Sequence, residues 1–335
     1  MAETVTVSIS DAEAAIAAAL EAANTCPANA RLVAQALVAA EVDGQKGHGF
    51  SRVASYNAQA CSGKVDGHAK PVLERAMPAF LKVDAGNGFA FPALELACDA
   101  LAETCAETGV AAVAVTRSHH CGQAGRHVER LAERGVLALL FANTPQAMAP
   151  WGGSKAVFGT NPIAFAAPME NRPPLVVDLS LSKVARGKVM AAAGKGEAIP
   201  EGWALDAEGQ PTTDATAALD GTMVAMGDAK GTALALVVEV LAAGLTGACF
   251  AFGASSFFSA EGAPPGVGQL IIGFDVAKTA GNGFGDRMGL LCAAMEDQPG
   301  VRLPGARRLA MRRQAAESGL QVDAEIWQGI LELGG

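Results

Sequence analysis

Val110 to Thr116 and Val136 to Ala142 are two nearly unbroken apolar runs. Between them, Ala124 to Arg134 carries Val128 and Leu131 on one helical side. A strand that is apolar at every position has no wet face, so both runs predict strands buried in a sheet covered by helices. Strand, helix, strand in that order predicts a crossover unit, with Gly135 ending the helix. Ile163 to Ala167, Leu175 to Asp178 and Gln269 to Phe274 read as further buried strands, and Val72 to Arg75 and Ala79 to Asp84 as shorter ones. The remaining pattern is helical. Ser10-Asp11-Ala12-Glu13 predicts a capped helix to about Asn24, and Pro27 opens another that Gly44 stops. Phe50, Val53, Ala54 and Asn57 predict a third, Pro92 to Thr108 a fourth and Lys230 to Leu245 a fifth; residues 283–297, 306–318 and 323–333 complete the set. Lys183 to Gly227 reads as loop and short helix, and Phe250 to Val267 as loop. The expected architecture is α/β, with helical chain ends in one domain around a sheet-rich centre.

Composition narrows the function. Of 335 residues, 50% are hydrophobic and 18% charged, so a large core is available. The net charge is −9 and no basic stripe occurs, which argues against nucleic acid as a partner. No apolar run reaches membrane-spanning length, and the first residues lack the pattern of a signal peptide. The 7 cysteines are scattered without a Cys-x-x-Cys pair, which predicts free thiols in a cytoplasmic protein and no structural zinc. A mean hydropathy of +0.26 implies more apolar surface than one core hides, and hence a homodimer.

Candidate chemistry begins at Lys46 to Arg52. If a helix starts at His48, then His48 and Arg52 share one face. An imidazole moves protons near neutrality, and a guanidinium holds a carboxylate by two parallel hydrogen bonds. The same spacing also suits an ordinary surface helix start. Ser118-His119-His120-Cys121-Gly122 falls where a strand gives way to a helix, a position where α/β proteins bind ligands, though a surface turn would look alike. Phe158 to Pro162, Asp178-Leu179-Ser180 and Lys230-Gly231 have comparable turn or helix-start chemistry. Arg307-Arg308 reads as an anion clamp or as a solvated helix face. No Gly-x-Gly-x-x-Gly fingerprint or phosphate-loop motif occurs; Gly281-Asn282-Gly283-Phe284-Gly285 has the wrong spacing. No metal-ligand spacing occurs either.

His48-Gly49 with Arg52, Ser118-His119-His120, Asn143-Thr144, Ala149 to Gly153, Gly159 to Pro162, Pro200 to Trp203, Pro211 to Asp214 and Lys230-Gly231 follow one another in an order that resembles the type 2 malate/L-lactate dehydrogenases. That family also holds ureidoglycolate, sulfolactate and diketogulonate enzymes and the Δ1-piperideine-2-carboxylate/Δ1-pyrroline-2-carboxylate reductases. The resemblance spans nearly the whole chain. It implies a non-Rossmann α/β fold with a mixed central sheet. It implies a helical catalytic and dimerisation domain from residues 1–75 and 281–335, and a cofactor domain from 76–280. It further implies NADPH or NADH as cofactor, NADPH being favoured, with a small carboxylate-bearing substrate. His48 matches the family's acid/base group and Arg52 its carboxylate-binding arginine, with Asp178 a third catalytic candidate. His119, His120, Asn143, Thr160, Asn161, Asp178, Leu179, Ser180, Lys230, Arg307 and Arg308 match cofactor-binding stretches. One departure stands out: Gly47 replaces the serine that usually precedes the catalytic histidine.

On substrate, Gly88 to Ala90, Pro92 to Leu94, Phe158 to Pro168, Gly268 to Ile272 and Leu303 to Arg308 look most like the imine reductase branch. Ala124-Gly125-Arg126 and Val128-Glu129-Arg130 look more like the hydroxy-acid branch. A ring imine is readily protonated in water and needs less help from a relay hydroxyl than a ketone does, which suits Gly47. The expectation from sequence is therefore reduction of a cyclic 2-imino acid. A 2-hydroxy acid dehydrogenase and a non-catalytic cofactor-binding homologue are the alternatives.

Overall fold

The computed structural model describes residues 3–335. Strand β1 (Thr4–Val7) leads to helices α1 (Ile9–Ala22) and α2 (Pro27–Val42). The cap of α1 is Ser8, two residues earlier than the capping-box pattern predicted; its hydroxyl accepts the Asp11 amide at 3.0 Å. Two separate 3₁₀ turns, Lys46–His48 and Phe50–Arg52, precede α3 (Val53–Cys61). The expected helix from His48 is thus interrupted at Gly49, whose ψ of −131° is far from helical. Gly49 is required there, since an added Cβ would fall 2.3 Å from a Glu41 carboxylate oxygen.

The central part runs β2 (Val72–Met77), β3 (Phe80–Asp84), α4 (Ala90–Thr108), β4 (Val110–Ser118), α5 (Ala124–Ala132), β5 (Val136–Ala142), β6 (Ile163–Ala167) and β7 (Leu175–Leu179). Next come α6 (Arg186–Lys195), β8 (Ala204–Leu205), β9 (Pro211–Thr212), α7 (Ala215–Asp220) and β10 (Thr222–Met223), the three short strands forming their own sheet. Helix α8 (Ala229–Glu239) widens into one π turn, Val240–Gly244. The chain closes with β11 (Val267–Asp275), α9 (Val276–Thr279), α10 (Phe284–Glu296), α11 (Ala306–Ser318), β12 (Leu320–Asp323) and α12 (Ala324–Gly334).

Seven strands make one mixed sheet in the order β2-β3-β4-β11-β5-β6-β7. β4 and β5 point the same way, as a crossover requires, but β11 lies between them and is antiparallel to both. Val113, Val115, Leu140 and Ile271 are fully enclosed in a core shared with Leu94 and Leu101 of α4 and Val128 and Leu131 of α5. Covering the sheet in this way removes solvent from the central strands, which is why they show no alternation. Leu270 takes Ala114 as one neighbour and Phe141 as the other, so no backbone group of the central strand is left at an edge.

β1 pairs antiparallel with β12, Thr4 opposite Asp323, and so joins the two ends of the chain. Beneath them Ile16, Leu20, Leu37, Tyr56, Val322 and Ile330 form a second core. These strands have four residues each and too little periodicity to be read from sequence. A third core gathers Met148, Phe158, Leu181, Val189, Ala235 and Val238 around α6 to α8, in the region expected to be mostly loop.

Candidate active site

The two 3₁₀ turns aim His48 and Arg52 at the end of β4. Arg52 is 9% exposed, its Nε–H donates to the Gly47 carbonyl at 2.7 Å, and its Cζ sits 4.2 Å from the Phe258 ring centroid. Its Nη1 is buried without a partner among the described residues. A desolvated guanidinium nitrogen left open is a strong donor for a carboxylate. His48 stacks on His120, ring centroids 5.2 Å apart and planes 22° apart, and its Nδ1 is likewise enclosed without a partner. Burial first, and then the Arg52 charge, push the His48 imidazole down to about 4. The ring is therefore neutral at neutral pH, the state that accepts a proton.

His119 and His120, expected in a cofactor-binding stretch, belong to this cluster. The Tyr56 hydroxyl lies 2.6 Å from His120 Nδ1. His119 Nε2 lies 3.0 Å from Gln59 Oε1, while Gln59 Nε2 donates to the Ser55 and Phe257 carbonyls. Phe257 packs on both histidine rings, with centroids 5.1 Å and 5.2 Å away. Tyr56, Gln59, Phe257 and Phe258 were not singled out from sequence. Tyr56 had one available signal, being the chain's only tyrosine and one helical turn beyond Arg52. The loop phenylalanines had none.

A second hollow, about 610 Å3, opens beside the first turn of α11 and is lined by Gln45, Gln123, Asp178, Arg302, Gly305, Arg307 and Arg308, among others. Asp178 accepts the Gly125 amide at 2.8 Å. Burial pushes its pKa above the usual carboxylate range, opposed by that bond and by Arg308. No hydrogen bond joins Asp178 to His48 among the described residues; Asp178 bonds the Gln45 side chain, and the Gln45 carbonyl accepts the His48 amide at 2.8 Å. Arg308 does not act as an open anion clamp: both terminal nitrogens bond Glu129, at 2.8 and 2.9 Å, in a buried network with Asp43 and Arg312. Arg307 is exposed on the rim.

The other expected cofactor residues sit in the protein frame. Asn143 donates to Glu239 at 3.1 Å and to the Cys249 carbonyl at 2.8 Å, and accepts the Gly268 amide. Asn161, in the left-handed region at φ 40°, donates to Glu239 at 2.8 Å and to the Ala235 carbonyl. Their amide hydrogens are committed to a buried carboxylate, so in this arrangement they hold β5, β6 and α8 together. The Thr160 amide donates to Thr144 Oγ1 at 2.9 Å, Ser180 bonds Ser182, and Leu179 packs on the third core. Lys230 is exposed at the start of α8. Among the described residues, no group of three or more His, Cys, Asp or Glu side chains is placed to hold a metal. No described helix is long and apolar enough to cross a membrane.

The model of the malate/L-lactate dehydrogenase family matches residues 7–331. The chain belongs to that family. It is an oxidoreductase with the family's α/β fold. It is 53% identical over 312 residues to a (2R)-3-sulfolactate dehydrogenase (NADP(+)) of Chromohalobacter salexigens, covering 93% of each chain. It is 40% identical to a Delta(1)-pyrroline-2-carboxylate/Delta(1)-piperideine-2-carboxylate reductase of Pseudomonas putida, over 91% of this chain and 89% of that one. The solved delta1-piperideine-2-carboxylate reductase of Pseudomonas syringae superposes with a TM-score of 0.94 at 37% identity, over 98% of this chain and 100% of that one. A Cβ on Gly47 would meet nothing within 4 Å, so the serine expected before His48 is not excluded by space.

Proposed function

We propose that this protein oxidises a small 2-hydroxy acid and, in reverse, reduces the matching 2-oxo acid. The observation that carries this is the neutral His48 beside an open Arg52 nitrogen. Arg52 holds the carboxylate by its unpartnered Nη1. His48 takes the hydroxyl proton as the carbon is oxidised and returns it in the other direction. Phe257 and Phe258 exclude water above the two cationic or basic groups, which strengthens both interactions.

The cofactor is a nicotinamide dinucleotide, NADPH or NADH. The hollow fits such a group. Gln123 Oε1 lies buried in its wall with no partner among the described residues, Arg302 and Arg307 provide positive charge, and the first turn of α11 borders it. Bound there, the nicotinamide would supply hydride donation and acceptance. The two arginines support a preference for the phosphate-bearing NADP form. The sequence-based division into a helical unit, 1–75 and 281–335, and a cofactor unit, 76–280, is kept as part of the proposal. So is a homodimer, supported by the exposed Leu236, Val237, Val240, Leu245, Phe250 and Phe252. Seven free thiols suit a cytoplasmic setting.

The substrate preference moves from imine to hydroxy acid. The relative at 53% identity supports an acid of the 3-sulfolactate kind, and a neutral base suits hydroxyl oxidation. A cyclic 2-imino acid remains the second reading, supported by the relative at 40% identity. Specificity constants for sulfopyruvate, oxaloacetate, pyruvate, Δ1-pyrroline-2-carboxylate and Δ1-piperideine-2-carboxylate, with both reduced cofactors, test it. Sulfopyruvate should lead. An imine ahead by about tenfold, or roughly 1.4 kcal/mol of transition-state binding, would reverse the choice.

A further inference from the structure

His119 and His120 are neighbours whose ring hydrogens have different uses. Gln59 gives both amide hydrogens to carbonyls, so its Oε1 can only accept, and His119 carries its hydrogen on Nε2. That hydrogen is consumed inside the protein. For His120 the hydrogen-bond partner is Tyr56, which is fully enclosed. Burial pushes the phenol's pKa up, so it keeps its proton. His120 Nδ1, at 2.6 Å, is the phenol's one hydrogen-bond partner among the described residues. The phenol hydrogen is satisfied only by donation to Nδ1. A neutral imidazole then bears its own hydrogen on Nε2, at the far side of the ring. His120 Nε2 has no partner among the described residues, and it is not sealed from solvent. The ring bearing it stacks on His48.

We propose that Tyr56 is a positioning residue of the active site: its phenol holds His120 in the Nε2–H form, so that a second hydrogen-bond donor stands beside His48 for the oxygen on the reacting carbon. This rests on reading the His48 cluster as the site of oxidoreduction. The proposal adds no proton transfer. His48 exchanges the proton, and His120 keeps its hydrogen while it stabilises charge developing on the substrate oxygen. It also gives a reason for tolerance of Gly47. A donor on His120, the ring stacked on His48, meets the substrate oxygen without a serine hydroxyl.

Tyr56→Phe keeps the ring that packs on Phe89 and Phe91 and removes only the donor. The test combines its kinetics with two-bond proton–nitrogen correlation spectra of the histidine-labelled, NADPH-bound enzyme, the His120 signals being assigned by their loss in His120→Gln. The unaltered enzyme should show His120 as Nε2–H. Tyr56→Phe should show loss of that single form and a fall in kcat of about tenfold, with the NADPH dissociation constant within twofold. A His120 Nδ1–H in the unaltered enzyme overturns the proposal, and that measurement stands even if Tyr56→Phe does not fold. Full kcat in Tyr56→Phe, or a lowered kcat with the Nε2–H form intact, overturns it as well. Absence of turnover by the unaltered enzyme across the substrate panel would fail the functional reading instead, and the spectrum would still decide the tautomer.

Discussion

At the scale of single residues, the site works by leaving polar atoms unpaired in a place that water barely reaches. Arg52 Nη1 and His48 Nδ1 are both enclosed without partners among the described residues, an arrangement that costs stability unless a ligand completes it. Arg52→Lys keeps the charge and loses the planar fork. We expect the Michaelis constant for the acid to rise at least tenfold, with the NADPH dissociation constant nearly unchanged; if both move together, Arg52 supports the fold instead. The His48 prediction concerns pH. Because burial and Arg52 hold its imidazole at about 4, the basic form persists well below the usual histidine range. In the oxidising direction kcat/KM of the free enzyme should fall only as pH drops toward 4. An acid limb centred near 6.5 that survives in His48→Ala would show that another group titrates.

Among the elements, the loop after the π turn decides whether this site is closed. Lys64, just past α3, donates from one ammonium to the carbonyls of Ser256 at 2.7 Å, Ser259 at 2.8 Å and Glu261 at 2.8 Å. Ser62 and Gln59 add bonds to Ala260 and Phe257. Glu239 anchors the loop's other end through the Ala251 amide at 2.7 Å. These clasps press Phe257 onto His119 and His120 and Phe258 onto Arg52. Lys64→Met retains the stem and removes the three bonds. It should lower stability by about 2 kcal/mol and raise the Michaelis constant for the acid, while NADPH binding changes little. Unchanged kinetics, with only a lower melting temperature, would make the clasp purely structural.

The whole molecule carries an acid sensitivity that follows from its histidines. Burial holds His48 and His127 down to about 4 and His119 to about 3, with His120 well below its ordinary value. The unfolded chain protonates all four near 6.5, while the folded chain does not. Below that pH the unfolded state binds more protons, so stability is lost as pH falls, by about 1.4 kcal/mol per pH unit for each imidazole until its folded value is reached. Above 6.5 the contribution is complete and flat. Thermal melts of the ligand-free protein should therefore drop steeply between pH 6.5 and 4.5. A melting temperature constant within about two degrees over that window would contradict the buried neutral cluster.

Sequence alone determined the elements whose patterns are long and local. The apolar runs from Val110 and Val136, the amphipathic stretch between them and the helix from Pro92 are set by periodicity that any partner must accommodate. The pairing of His48 with Arg52 also came from short-range spacing and the family resemblance, though Gly49 turned the expected helix into two 3₁₀ turns. Tertiary structure alone decided the rest. Placing β11 between β4 and β5 required pairing across more than a hundred residues of chain. Joining β1 to β12 closed the two ends, and neither four-residue strand has a pattern of its own. The same long-range folding set Asn143 and Asn161 on Glu239 and paired Arg308 with Glu129, internal bonds that no local pattern shows. It also brought Phe257 and Tyr56 to His120. A side chain's partner depends on which distant element arrives beside it, and in this chain that is decided by burial in three cores.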